Sequence, residues 1–366
     1  MRTLLAGLVC LAIGIGLTEY QRRNPRKTDG TEEKETPKTP TKAALPKGVA
    51  ELLETEEAGS DTPAPGTELE ALLSTPAATG DKFPVIAEGK VQARSLHGGF
   101  GASIFVIEAN GKAGIARAAV GEPTKVIFTR KSVDALAVDG STVFFAEGGL
   151  IGSTHARGGE GVTVRARFKN ATVTSLSASG DTVVATLMPK GSDPLSTDSI
   201  GAVVSLNSDG AVSLIAQEQV RPRGAQTDGK GAYWIGGYPP KLWRGALDGA
   251  FSSELYDTAE EPLQLDGDVV YFRSPLGSGV ELKRIGRAGG NLQTIATGDI
   301  KALAVSSGLV RYATGGSDAK LMEVAAGSEP TELLPLTSSV RGVAVGGTNL
   351  FVLTQSDDGT AVLRAK

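Results

Sequence analysis

From residue 83 to the C-terminus, apolar residues fall in short β-branched or aromatic runs separated by Gly, Asp, Asn and Ser, with no long helical periodicity. One stretch shows the pattern: Leu136–Glu147, "LAVDGSTVFFAE", is a small-residue run, an Asp-Gly corner and an aromatic run. The corner glycine recurs at Gly101, Gly140, Gly180, Gly229, Gly267, Gly308 and Gly347, at intervals of 39, 40, 49, 38, 41 and 39. Small or apolar runs precede the corners ("VDALAV", "PLQL", "IKALAV"), and strand-forming runs follow them ("TVFFAE", "AYWIGG", "VVYFRS", "NLFVLT"). A third run and a second turn come next ("KLWRGALDG", "LKRIGRAGG"), and a fourth run closes the unit ("VTVRARF", "PTELLPL").

Four strands per period of about 40 residues is the signature of a β-propeller blade, so the pattern predicts an all-β propeller over residues 82–366. After Gly347 only "TNLFVLTQSDDGTAVLRAK" remains, enough for two more strands but not the outer fourth, while "KFPVIAEGK" before the first unit supplies a spare strand. Pairing the two would close the ring and remove both exposed edges. Seven four-stranded blades closed by an N-terminal strand are expected, with six or eight left open should one unit be irregular.

Upstream the texture differs. Residues 3–17, "TLLAGLVCLAIGIGL", form an apolar run short of a full span, and residues 1–17 read equally as a cleaved signal peptide or a short uncleaved membrane anchor. Four basic residues in "TEYQRRNPRK" follow it and favour that side being cytoplasmic. Residues 18–81 are rich in Pro, Thr, Glu and Lys and read as a disordered linker. Within it "GVAELLETEE" and "GTELEALLSTP" share an acidic double-leucine pattern. Each can form a short helix, with Leu52/Leu53 and Leu72/Leu73 available for a groove; transient helices without a partner are the simpler expectation.

The Asp-Gly corners followed by "VFF", "AYW", "VYF" and "VRY" resemble the TolB-like and Tyr-Trp-Thr-Asp-type β-propellers of bacterial envelope proteins, over about residues 83–366. The chain departs from the second pattern: Tyr233-Trp234 keeps the dipeptide, but Ile235-Gly236 follow. Those relatives are often six-bladed. The resemblance implies a protein-binding or sensing scaffold in the cell envelope, periplasmic, secreted or anchored to the inner membrane, and it transfers no particular ligand.

Charge and candidate chemistry narrow the function. The net charge is −4. Residues 1–82 hold 10 Lys/Arg and 13 Asp/Glu, leaving 27 and 28, so the propeller is nearly neutral and nucleic acid is not an expected partner. The only cysteine is Cys10, so neither an intrachain disulfide nor a cysteine-based metal site is available. Gly224–Gly231, "GAQTDGKG", has phosphate-loop spacing but lacks the Ser/Thr, and a strand follows where a helix is required. There is no G-x-S-x-G, and two histidines, His97 and His155, make no zinc signature. Asp139, Asp228 and Asp266 recur at one corner, which is a turn role. No cofactor and no metal are expected.

The remaining lead is geometric. Loops leading into each innermost strand crowd one face of a propeller around its channel. This places Arg130, Lys131, Lys169, Arg221 and Arg223 on that face, with Glu260 and Glu261 farther round and His97 at the channel mouth. The long loop "MPKGSDPLSTDS" (Met188–Ser199) lies on the same side. The expected function is a non-enzymatic, monomeric propeller binding a protein or peptide across that face, tethered to or exported across a membrane. The alternatives are a funnel-site enzyme (hydrolase, lyase or lactonase type) and a purely structural envelope component.

Overall fold

The computed structural model describes residues 47–56, 67–76, 80–159, 161–194, 196–277 and 279–366. The apolar segment 1–17, Cys10 and the basic stretch after it lie outside the described residues. Seven sheets form seven blades: residues 92–130, 135–167, 171–220, 223–256, 260–298, 300–335, and 339–365 together with Val85–Lys90. Each is a four-stranded antiparallel meander, and the seventh carries one further short strand, Leu73–Ser74. The N-terminal strand Val85–Lys90 pairs with Thr360–Ala365, Val85 opposite Arg364 and Gly89 opposite Ala361, so the ring closes as expected. Among the described residues no helix is long and apolar enough to cross a membrane.

The repeat has a physical basis at each strand. Second strands are covered on both faces by the two flanking blades, Val143 and Phe145 packing toward blade 1 and Phe144 and Ala146 toward blade 3, so they read as unbroken apolar runs rather than alternating ones. Val143, Phe144, Phe145 and Ala146 are all buried. Innermost strands crowd the axis and therefore carry small residues. A Cβ on Gly98 would lie 2.0 Å from the Val345 carbonyl oxygen of the blade across the closure. All seven corner glycines have positive φ, from +54° at Gly267 to +78° at Gly229, the conformation that two-residue hairpin turns require and that glycine adopts without strain. The phosphate-loop look-alike is such a corner: Asp228–Lys230 turn between strands Arg223–Thr227 and Gly231–Gly236.

The core is not one mass but seven clusters, each between adjacent blades. Polar clamps cross the same seams. Arg94 donates to the Val133 carbonyl (2.6 Å), Arg165 to Ser208 (2.8 Å) and Arg273 to Ile300 (2.6 Å), each one blade ahead.

Two stretches within the 18–81 span, read as a disordered linker, are ordered against the propeller. Helix α1 (Lys47–Leu52) buries Val49 and Leu52, the latter in the seam between blades 2 and 3. Helix α2 (Thr67–Glu70) buries Leu69 to 2 % exposure in the seam between blades 7 and 1. Thr55 then bridges to Phe168, and Leu73–Ser74 adds to the closing strand. The leucine pairs thus meet grooves of their own chain.

Candidate functional site at the channel mouth

The innermost strands start on the face where outer strands cross to the next blade. One residue per blade at this position lines a mouth of about 430 Å³: Ser95, Asp134, Thr174, Gly224, Glu261, Lys301 and Arg341. On six of the seven innermost strands a register shift falls at this end, as between Glu260 and Gln264 or Val340 and Gly342. Such bulges re-aim side chains out of the pleat. Below the ring lie His97, Gln226 and Gln264, which also line the deeper channel of about 290 Å³.

Charge is unevenly compensated around this ring. In the sector of blades 4 and 5, Arg223 Nε lies 3.5 Å from Glu261 Oε2, and Arg273 Nη2 lies 3.3 Å from Glu260 Oε2. Burial raises the Glu261 pKa, opposed by Arg223 and Arg273. Water reaches 47 % of its side chain through the concave mouth, although protein encloses it closely. Asp134, on blade 2, accepts the Gly148 N–H at 2.6 Å and serves the scaffold. Blades 6 and 7 differ. Lys301 is exposed and pairs with Asp299 at 2.7 Å, and the exposed Arg341 has no ion pair among the described residues. His97 is half-buried in the channel, and desolvation lowers its pKa to about 4, so the imidazole is neutral at pH 7.

The residues expected on this face divide. Glu261 and His97 line the mouth, Arg223 contacts Glu261, and Glu260 holds Arg273. Arg130, Lys131, Lys169 and Arg221 do not line it. Arg130 packs over the rings of Phe128 and Phe145 (5.8 and 5.3 Å) with Glu147 at 3.6 Å. Lys131 is exposed. Lys169 is exposed too, and its backbone N–H donates to Glu54. Arg221 pins the long loop: its N–H donates to Ser199 (2.9 Å) and its Nε to Pro194 (3.3 Å). The mouth also holds three cations outside the expected set, Arg273, Lys301 and Arg341. Lys301 and Arg341 were visible in "IKALAV" and "VRGVAV", where they align with Asp134 of "VDALAV". His155 is partly exposed on its strand, its Nδ1 accepting the Arg157 N–H at 3.2 Å. Among the described residues no group of three or more His, Cys, Asp or Glu is placed to hold a metal.

No family model matches the chain. No curated protein matches it either. Solved structures resemble it in fold. An oligogalacturonate lyase in complex with manganese superposes with a TM-score of 0.63 at 10% identity, covering 84% of this chain and 98% of the lyase. Acylaminoacyl peptidase from Pyrococcus horikoshii gives 0.56 at 12% identity over 72% of this chain and 49% of the peptidase. The β-propeller domain of the trilobed protease from Pyrococcus furiosus gives 0.53 at 15% identity over 66% and 84%. The chain thus spans about half the length of the peptidase. At such identities the likeness is one of fold. The protease propeller is described as having an open velcro topology, whereas here Val85–Lys90 closes the ring.

Proposed function

We propose that the protein is a non-enzymatic β-propeller scaffold that binds a protein or peptide partner across its loop face, an acidic group of the partner resting on the Lys301–Arg341 sector. One observation carries this reading: Arg341 stands exposed at the mouth without an ion pair among the described residues, beside Lys301. Arg223, Arg273 and Lys301 already face carboxylates, so an incoming anion gains most at Arg341. The resemblance to TolB-like propellers supports an envelope setting, with residues 1–17 exporting or tethering a monomeric propeller. The test is a fluorescence-anisotropy titration of a labelled oligoglutamate peptide at low salt. Arg341→Glu with Lys301→Glu is expected to weaken binding at least fivefold, and unchanged binding would remove the proposal.

A second reading, a funnel-site enzyme, is favoured by one observation: Glu261, with a raised pKa, and His97, with a lowered one, line the same cavity. The lyase and peptidase propellers make these the reactions to assay. Turnover of an oligogalacturonate or a peptide ester that His97→Gln abolishes would establish this reading in place of the scaffold.

A further inference from the structure

The two leucine segments are copies of one docking device. Val49, Leu52, Leu53 and Thr55 recur 20 positions later as Leu69, Leu72, Leu73 and Thr75. In each copy a short helix drops an apolar side chain into a seam between blades, and the following residues extend the preceding blade's sheet. α1 does so between blades 2 and 3, through Leu52 and the Thr55–Phe168 bridge. α2 does so between blades 7 and 1, where Leu69 Cδ1 reaches Gly114 and Leu73–Ser74 joins the closing strand. Acids accompany both copies. Glu68 pairs with Lys112 at 2.5 Å, Glu70 accepts the Val126 N–H at 3.1 Å, and Asn170 donates to Glu54 at 3.4 Å.

An open groove lies at another seam, between blades 6 and 7. It measures about 580 Å³ and is bounded by blade 6's second-to-third loop (Gly315–Ala319), the crossover at Leu336–Ser339, and Ser356–Asp357 of blade 7. Its floor includes the buried Ala319 and Leu336, members of that seam's cluster. Lys301 and Arg341 belong to this groove and to the channel mouth alike, so the two cavities share one cationic wall. Asp357 stands on the other lip.

We infer that the groove between blades 6 and 7 is a docking site for an acidic, leucine-bearing short helix of a partner protein, seated as α1 and α2 seat themselves. This rests on the scaffold reading above and names the partner's class. The occupant's leucine fills the space over Ala319 and Leu336, and its carboxylate meets Arg341. Apolar burial supplies the affinity, and the charge sets which end of the helix faces the channel.

The test uses a labelled peptide of residues 47–56 added to the full-length chain, whose own two grooves are already filled. Saturable binding is expected, weakened at least tenfold by Ser338→Trp, which plugs the groove, and at least threefold by Arg341→Glu. Thr337→Trp at the exposed lip serves as a second plug should the first variant fold poorly. Serine at both leucines of the peptide should abolish binding. Equal affinity for the plugged and unplugged proteins, or crosslinking of the peptide to the seam between blades 2 and 3, would overturn the assignment. If oligoglutamate binding depends on Arg341 while the leucine peptide ignores both plugs, the groove proposal fails and the scaffold reading stands. If neither peptide binds, both fall.

Discussion

Asp139 Oδ2 accepts a hydrogen bond of 2.8 Å from the backbone N–H of Gly180, the corner glycine of the next blade. Asp266 repeats this 2.5 Å from the Gly308 N–H, and Asn349 reaches the Gly101 carbonyl at 3.1 Å across the closure. Asp228 instead takes Arg287 of the next blade while its Oδ1 accepts the N–H groups of Lys230 and Gly231, each at 2.9 Å. Asp139 and Asp266 are therefore latches between blades more than braces for their own turns, whereas Asp228 is both. Asp139→Ala should cost about 1 kcal/mol, whereas Asp139→Asn keeps an acceptor oxygen and should cost less. Gly140→Val should cost the most, about 2 kcal/mol or more. Its φ is +56° and a Cβ would lie 3.3 Å from Phe100. Urea denaturation orders the three, and equal midpoints would contradict the latch.

His97 makes stability depend on acid. Its folded pKa of about 4 lies below the ordinary 6.5, so between these values the unfolded chain binds a proton that the folded chain refuses. Stability is therefore complete above pH 6.5 and falls as the pH drops toward 4, by about 2 kcal/mol at pH 5 from this group alone. His97→Gln should flatten the slope of denaturation midpoint against pH across this window. An unchanged slope would place the imidazole in contact with bulk water.

Blade number and closure were legible because glycine at positive φ and a strand buried on both faces leave strong local marks, as at Gly140 and Val143–Ala146. The mouth was half legible. Glu261 and His97 are expected there from the sequence, while Lys301 and Arg341 stand at the same repeat position as Asp134, on strand starts rather than in the crossover loops to which loop charges draw attention. Arg130 was expected on an open rim, yet its neighbours Phe128 and Phe145 offer aromatic faces that draw it inward. The docking of α1 and α2 was legible only as far as two leucine-bearing short helices able to fill a groove; the composition around them is that of a solvated linker, and the grooves that order them exist only in the assembled ring.

That docking has a measurable consequence. Leu69 is 2 % exposed and packs in the seam of blades 7 and 1. Leu69→Ala should destabilise the propeller by about 2–4 kcal/mol, and the half-buried Leu72→Ala by less. A segment acting only as a tether would leave the denaturation midpoint unmoved. Limited proteolysis supplies an independent readout: cleavage within residues 67–76 should become faster in Leu69→Ala.

The closing strand decides whether the ring is a ring. Ala87 is 2 % exposed, sits opposite Leu363, and faces the cluster that joins blade 7 to blade 1. A carboxylate there would be buried without a partner, so Ala87→Asp should cost about 3–5 kcal/mol. The neighbouring Glu88 points to solvent, and Glu88→Ala should leave stability nearly unchanged. Gly89 offers a graded intermediate, because a Cβ there would lie 2.3 Å from the Leu72 carbonyl oxygen. Gly89→Ala should release Leu73–Ser74 while the closing strand stays paired. Small-angle scattering separates these outcomes. Ala87→Asp should increase the radius of gyration as blade 7 parts from blade 1, while Gly89→Ala should change proteolysis near residue 73 with the radius preserved. If Ala87→Asp kept wild-type radius and midpoint, closure would rest on the contacts of the innermost strands alone.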